Sequence, residues 1–193
     1  MTMECPDGLR DITHLFPIKG HRVSLQLVRP VDAAFIHGLR SDPAYNAHLS
    51  AVPGTVDDQR DWITRYMLRE AAGQEFYCLI TRNDTGQPCG VVRLYDVADG
   101  QFTWGSWILN ADKPAKAALE SAVLSFGLGF EVLGMKKALL DVRLLNTHAK
   151  NFYLRFGATP MKQDAINLYL KVGRLEYQIA KAHYQKVMRA ESE

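Results

Sequence analysis

The sequence predicts a mixed α/β protein with one central, mostly antiparallel sheet and helices on both of its faces. Three observations carry this. First, "EFYCLITR", "CGVVRLYDV" and "QFTWGSWIL" are consecutive runs rich in β-branched and aromatic residues, joined by the turn stretches "NDTGQP" and "ADG". Second, the last run leads through the helix-periodic "NADKPAKAALESAVLSFGLGFEVLG" into another strand-like run, "KKALLDVRL". That is a β-α-β crossover, which is normally right-handed. Third, amphipathic helical stretches stand before and after this block.

In chain order, residues 1–20 show no clear period and read as an N-terminal leader. Residues 21–193 read as one domain. "RVSLQLVRP" alternates Val23, Leu25 and Leu27 with Ser24, Gln26 and Val28, a strand stopped by Pro30. Asp32 is the expected N-cap of a helix in "VDAAFIHGLR", with Ala33, Ile36, His37 and Arg40 at helical spacing. After an irregular stretch, 41–54, a second helix runs through Trp62, Ile63, Tyr66, Met67 and Glu70 to a stop at Gly73. Asp99-Gly100 is a strong hairpin signal. "QFTWGSWIL" puts Phe102, Trp104, Ser106 and Ile108 on one face and Trp107 and Leu109 on the other, as in a central strand covered on both sides.

The long helix carries Ala115, Ala118, Leu119, Ala122, Val123, Phe126 and Phe130 in one stripe, with Pro114 in its first turn. Gly127 and Gly129 signal close packing or a weakened helix there. "LLDVRLLNTHAKNFYLRFGATP" then ends a strand and begins a helix. Asn146 is the N-cap, Ala149, Phe152, Tyr153 and Phe156 form an inward stripe, and Gly157 is the stop. "AINLYLKV" is a last strand, and a charged amphipathic helix spans about 173–190.

Composition narrows the classes. With 193 residues, 47% of them hydrophobic, the chain can bury a core without staples. The net charge of +2 comes from well-mixed acids and bases, with no basic stripe for a nucleic acid. Cys5, Cys78 and Cys89 match no metal or redox spacing, which predicts reduced thiols and a cytoplasmic protein without a metal. No secretory signal and no apolar run near ~18 residues is present, so no membrane partner is expected.

The chemistry is expected at the crossover. A loop entering a helix N-terminus offers unpaired N–H groups and the positive end of the helix dipole, a site suited to pyrophosphate. Here the loop is "NADKPAK", where Lys113 and Lys116 add charge. It is not glycine-rich, so no dinucleotide or P-loop fingerprint is present. Locally it also reads as an ordinary helix start, and Asn146 to Gly157 as a cap, a stripe and a stop.

The order strand, helix, strand and then "N-x-x-A-x-x-F-Y-x-x-x-G" resembles the GCN5-related N-acetyltransferases, over about residues 22–172. "VSLQLVRPVDAAFIHGLRSDP" is similar to the opening of the ribosomal-protein-acetyltransferase-like branch, and "GQPCGVVRLYDVADGQFTWGSWIL" to the family's third and fourth strands. "LDVRLLNTHAKNFYLRFGA" is similar to its fifth strand and the helix after it. The resemblance implies that the fourth and fifth strands splay apart and that acetyl-CoA lies in the gap. It implies pantetheine pairing at Ile108 and Leu109, pyrophosphate at Lys113, Pro114, Ala115, Lys116 and Ala117, and a cofactor contact from Asn146. Tyr153 would protonate the thiolate leaving group.

The loop departs from the family's Gln/Arg-x-x-Gly-x-Gly/Ala. Asn110, Lys113 and Ala115 take those positions, and Pro114 removes a donor. Loops of this kind resemble those of acetyltransferases that modify amino sugars on nucleotide carriers. Asp96 and His48 are the candidate bases, and Tyr45, His48, Tyr95, Asp96 and Trp104 the candidate acceptor-pocket residues. The function implied is acetyl-CoA-dependent N-acetylation of a small primary amine. The favoured acceptor is a nucleotide-linked amino sugar of surface-polysaccharide synthesis. The alternatives are acetylation of protein N-termini and a non-catalytic acetyl-CoA-binding module. The tail helix is expected to cover a sheet edge or to pair with a second copy in a homodimer.

Overall fold

The computed structural model describes residues 12–48 and 54–190. Eight strands form one sheet: β1 (Ile18–Lys19), β2 (Val23–Leu27), β3 (Phe76–Arg82), β4 (Pro88–Ala98), β5 (Gln101–Leu109), β6 (Lys137–Arg143), β7 (Thr159–Gln163) and β8 (Asn167–Gly173). Their order across the sheet is β1-β2-β3-β4-β5-β6-β8-β7. Every pairing is antiparallel except β5 with β6. The helices are α1 (Ala33–Ser41), α2 (Pro43–Asn46), α3 (Val56–Ala71), α4 (Ala117–Gly127), α5 (Thr147–Phe156) and α6 (Arg174–Arg189).

Two buried clusters sit on the two faces of the sheet. One joins Phe76, Cys78, Leu94, Phe102 and Trp104 to the α4 and α6 residues Phe126, Tyr177 and Tyr184. The other joins Tyr77, Leu79, Val91 and Ile108 to the α1 and α3 residues Ile36, Leu39, Ile63 and Tyr66. The alternation of β3 and β4 therefore feeds both cores, as period-2 side chains must.

Several local expectations hold. Asp99 and Gly100, with φ of 51° and 74°, close the two-residue β4–β5 hairpin between Ala98 and Gln101. Asn146 caps α5 by accepting the Ala149 N–H at 3.1 Å, and Gly157 ends it with φ of 105°. The glycines of the long helix do both things expected of them. A Cβ at Gly129 would lie 2.3 Å from the Phe102 ring, and one at Gly127 would lie 2.8 Å from the Tyr177 hydroxyl. From Leu128 to Val132 the helix widens into a π-helical turn.

Other expectations are corrected. Of the segment read as a leader, residues 12–20 belong to the fold: Ile12 is buried, and Ile18 and Lys19 pair with β2. The rest of that segment, with Cys5, lies outside the described residues. Asp32 takes the expected N-cap position of α1, but its side chain makes no cap bond to that helix. It sits in the preceding 3-10 turn, and its carboxylate accepts the Arg29 N–H at 2.8 Å. Pro114 and Ala115 lie outside α4, which starts at Ala117, and Ala115 is exposed, so the buried stripe begins later than expected. Strand β7 escaped the reading because all five of its residues are exposed on the sheet edge, which leaves no alternation to see.

The faces of β5 are also corrected. Ser106 has φ of 48°, and Ser106 and Trp107 together oppose the single residue Val92. This bulge inverts the alternation. Phe102 and Trp104 face the first core, but Ile108 faces the second, and Trp107 and Leu109 join Trp104.

Candidate functional site

The bulge lies where the sheet opens. β5 and β6 pair only at Gln101–Lys137, Phe102–Ala138 and Thr103–Leu139. Beyond that point β5 stays with β4 as far as Leu109, and β6 stays with β8 as far as Arg143. Two strand edges therefore diverge in mid-sheet and leave a wedge of unpaired backbone. Ile108 and Leu109, expected to pair with a ligand, stand at the far end of the β5 edge.

The loop after β5 closes one end of the wedge. It is held by its own polar groups in place of glycines. The Asn110 side chain accepts the Asp112 N–H at 3.0 Å, the Arg82 guanidinium donates to the Asp112 carbonyl at 2.6 Å, and the Tyr45 hydroxyl accepts the Ala111 N–H at 3.0 Å. Lys116 precedes α4 in the left-handed region, φ 64°. That conformation costs a non-glycine residue about 1 kcal/mol. Ala117 and Glu120 donate to the carbonyls of Pro114 and Lys116. The amides of Ala115, Ala118 and Leu119 find no acceptor among the described residues. Together with the dipole of α4 and the exposed Lys113 and Lys116, they make an anion cradle.

Glu120, fully buried in the first turn of α4, was not foreseen. It accepts from the backbone of His21 and Arg22 and from the Tyr184 hydroxyl. It thereby fastens the start of the cradle helix to the β1–β2 turn and to α6.

On the other wall α5 brings Tyr153 to the wedge. The ring is 9% exposed and packs edge-on against Trp104, with centroids 5.7 Å apart. Its hydroxyl has no hydrogen-bond partner among the described residues, yet it is not among the fully enclosed unpartnered atoms. Burial raises its pKa above the usual tyrosine value, and the negative charge of Asp141 raises it further. The hydroxyl therefore keeps its proton through the neutral range. Trp107 lines the same wall, 4.8 Å from Phe152, with its indole N–H donated to Ser121 at 3.1 Å.

Asp141 is the functional candidate that sequence reasoning missed. Its charge bears on Tyr153, Tyr95 and Tyr169 alike. It is the register partner of Tyr169, and a Cβ at Gly105 on the facing strand would lie 3.2 Å from the Tyr95 hydroxyl. An available signal was the alternation of "LLDVRL": Leu140 and Val142 are buried, which turns Asp141 and Arg143 to the other face.

The remaining predicted residues divide. Tyr95 stands beside this group, and the Arg93 guanidinium lies over its ring at 4.4 Å. His48 lines a cleft of about 430 Å³ with Arg143, Leu144, Leu145, Ala165 and Ile166. Tyr45 spends its hydroxyl on the loop. Asp96 is exposed at a second bulge with φ of 51°, level with the still-paired end of β5, where the Thr103 hydroxyl reaches it at 3.5 Å. Trp104 is corrected to a core residue: it is 1% exposed, stacked on Phe126 at 4.8 Å and bonded to Ser125 at 2.9 Å. A larger groove of about 590 Å³ runs between α4, α5 and α6, past Leu119, Phe152 and Arg155.

Neither described cysteine has the exposed, acidic thiol that suits a nucleophile. Cys78 and Cys89 are buried, and burial pushes both thiols up, that of Cys89 to about 11. Among the described residues no group of side chains could hold a metal ion, and no helix is long and apolar enough to cross a membrane.

Residues 22–159 match the family model of the acetyltransferase (GNAT) domain. The chain is similar to the apo structure of FdhC, a nucleotide-linked sugar GNAT, at 37% identity and a TM-score of 0.82, covering 88% of this chain and 97% of that one. It shares its fold with a putative ribosomal-protein-serine acetyltransferase from Vibrio cholerae, at 15% identity and TM-score 0.69, over 82% and 97% of the two chains. A chimeric spermidine N-acetyltransferase from Vibrio cholerae and hSSAT gives 16% and 0.69, over 82% and 99%. Among curated proteins none matches the chain.

Proposed function

Because the chain belongs to the GNAT acetyltransferase family, we propose that it transfers the acetyl group of acetyl-CoA to the amine of a nucleotide-linked amino sugar. The observation that carries the choice of acceptor is the 37% identity to a nucleotide-linked sugar GNAT over nearly the full length of both chains.

The residues present fit the cosubstrate. A free strand edge suits an amide-bearing pantetheine, and the cradle of Ala115, Ala118 and Leu119 amides with Lys113 and Lys116 suits a pyrophosphate. Acetyl-CoA supplies the acetyl group as an activated thioester. The chain's own residues do the rest. The β5 edge orients the reacting carbonyl. Asp141 holds the acceptor amine by charge and takes its proton directly or through water. Tyr153 keeps its proton at neutral pH and offers it where negative charge develops on the leaving sulfur. That transfer is uphill against a thiol of ordinary acidity, so the hydroxyl acts mainly as a hydrogen-bond donor to the developing thiolate. The inert thiols favour direct transfer over an acylated cysteine.

The test is release of free coenzyme A with a panel of nucleotide-linked amino sugars, free amino sugars and N-terminal peptides. Turnover confined to the nucleotide-linked sugars is the expected result. Turnover of peptides alone moves the chain to protein N-terminal acetylation. No turnover with any amine, together with no thermal shift at millimolar acetyl-CoA, makes it a non-catalytic domain.

A further inference from the structure

The Arg143 side chain has no polar partner among the described residues. It stands on β6 two residues beyond Asp141 and, by strand alternation, on the same face. Its guanidinium makes no hydrogen bond or ion pair with any described residue, while its backbone carbonyl accepts from the Asn146 N–H. It lines the 430 Å³ cleft, where its neighbours are Ala47, Leu144, Leu145, Ala165 and Ile166, with His48 as the other polar side chain. The acid nearest in sequence across the cleft, Asp164, is fully engaged: it accepts from the amides of Ile166 and Asn167 and from the Tyr169 hydroxyl. A guanidinium with no ion-pair partner among the described residues, set between apolar walls, suits an anion that arrives with the ligand.

We propose that Arg143 is a specificity-determining residue that recognises a phosphate or diphosphate on the acceptor, at the end remote from the amine. This rests on the reading of the site as a sugar-amine acetyltransferase. Asp141 and Arg143 lie about 7 Å apart along the strand. One hexose ring bridges such a separation, so an amine held at Asp141 puts an anomeric phosphate near Arg143. The fork of donors suits two phosphate oxygens at once. Leu145 and Ile166, both well exposed, offer apolar cover beyond it for the face of a sugar or base.

The experiment compares the wild type with Arg143→Gln and Arg143→Lys. The readout is the ratio of kcat/KM for a nucleoside-diphosphate amino sugar to that for the same amino sugar without the nucleotide. Loss of a charge-assisted contact predicts that the ratio falls about 10- to 100-fold in Arg143→Gln, carried by KM, with Arg143→Lys in between. A ratio unchanged within twofold in both variants overturns the proposal. Calorimetric titration with uridine and thymidine 5′-diphosphates, at saturating coenzyme A to block the other anion site, separates this from the parent reading. If no amino sugar is turned over, the acetyl-acceptor assignment fails. The Arg143 proposal then stands if the wild type binds a diphosphate and Arg143→Gln binds it at least tenfold more weakly. It falls if the wild type binds none or the variants bind equally. Thermal shift by acetyl-CoA verifies that each variant is folded.

Discussion

Replacing Tyr153 by Phe should move activity and stability in opposite directions. The hydroxyl removed has no partner among the described residues, so no internal hydrogen bond is lost. A buried, unsatisfied polar group costs about 1–3 kcal/mol. This one is not fully enclosed, so the gain on removal belongs at the low end, about 0–1 kcal/mol. A chain of 193 residues unfolds with an entropy of about 0.4 kcal/mol/K. Tm should therefore stay level or rise by up to about 3 °C. The ring keeps its contacts with Trp104 and Trp107, so the aromatic wall is preserved. Turnover should nevertheless fall by about 100-fold or more, the usual scale for a preorganised hydrogen-bond donor to a developing anion. The loss should appear in kcat with acetyl-CoA KM little changed, measured by coenzyme A release alongside thermal melts. Because burial and Asp141 raise the Tyr153 pKa, the wild-type rate should show no decline from this group between pH 6 and about 10. Its linkage to stability has one sign. Above about pH 10 the unfolded chain releases the tyrosine proton while the folded chain retains it, so stability falls with rising pH. That decline should be shallower in Tyr153→Phe. A variant within threefold of wild-type turnover, or one whose activity loss tracks a loss of Tm, would refute the donor role.

Three other outcomes are expected. Asp141→Asn should lower kcat/KM for the amine by about 10- to 100-fold without affecting the acetyl-CoA thermal shift, since the residue is exposed on the opposite wall of the wedge. Gly129→Ala should destabilise the fold by about 1–3 kcal/mol, seen in denaturant melts, because the new methyl meets the fully buried Phe102 ring. Lys113→Ala and Lys116→Ala should each raise acetyl-CoA KM about 2- to 5-fold at low salt, with the difference shrinking at high salt, because both side chains are exposed.

What was legible in the chain was local. Asp99-Gly100, the Asn146 cap, the Gly157 stop and the stripe of α4 are contacts within a few residues, and each has its own stereochemical signature. The parts of the site that stayed hidden are long-range. Asp141 acquires its neighbours only when β6 lies opposite the bulged strand and beside Tyr169, more than twenty residues away in sequence. Glu120 is buried by a turn nearly a hundred residues earlier, which no local pattern in the sequence could show. Trp104 and Trp107 were set on opposite faces because a period of two was carried through Ser106. Nothing in "WGSW" marks where the extra residue falls, although the bulge decides which indole reaches the wedge.

The three-residue ladder between β5 and β6 makes the sheet two plates on one short hinge. Five strands lie on one side and three on the other; backbone pairing joins the plates at Gln101 to Thr103, and the first core packs against both. A small rotation about that line hardly alters the ladder. It changes the width of the gap most at the open end, six residues farther along β5. A ligand lying in the gap would act as a missing strand, and its length would set the angle between the plates. Asp141 and Arg143 ride on the smaller plate and Gly105 on the larger, so the same angle would tune how far an acceptor stands from the acetyl group it receives.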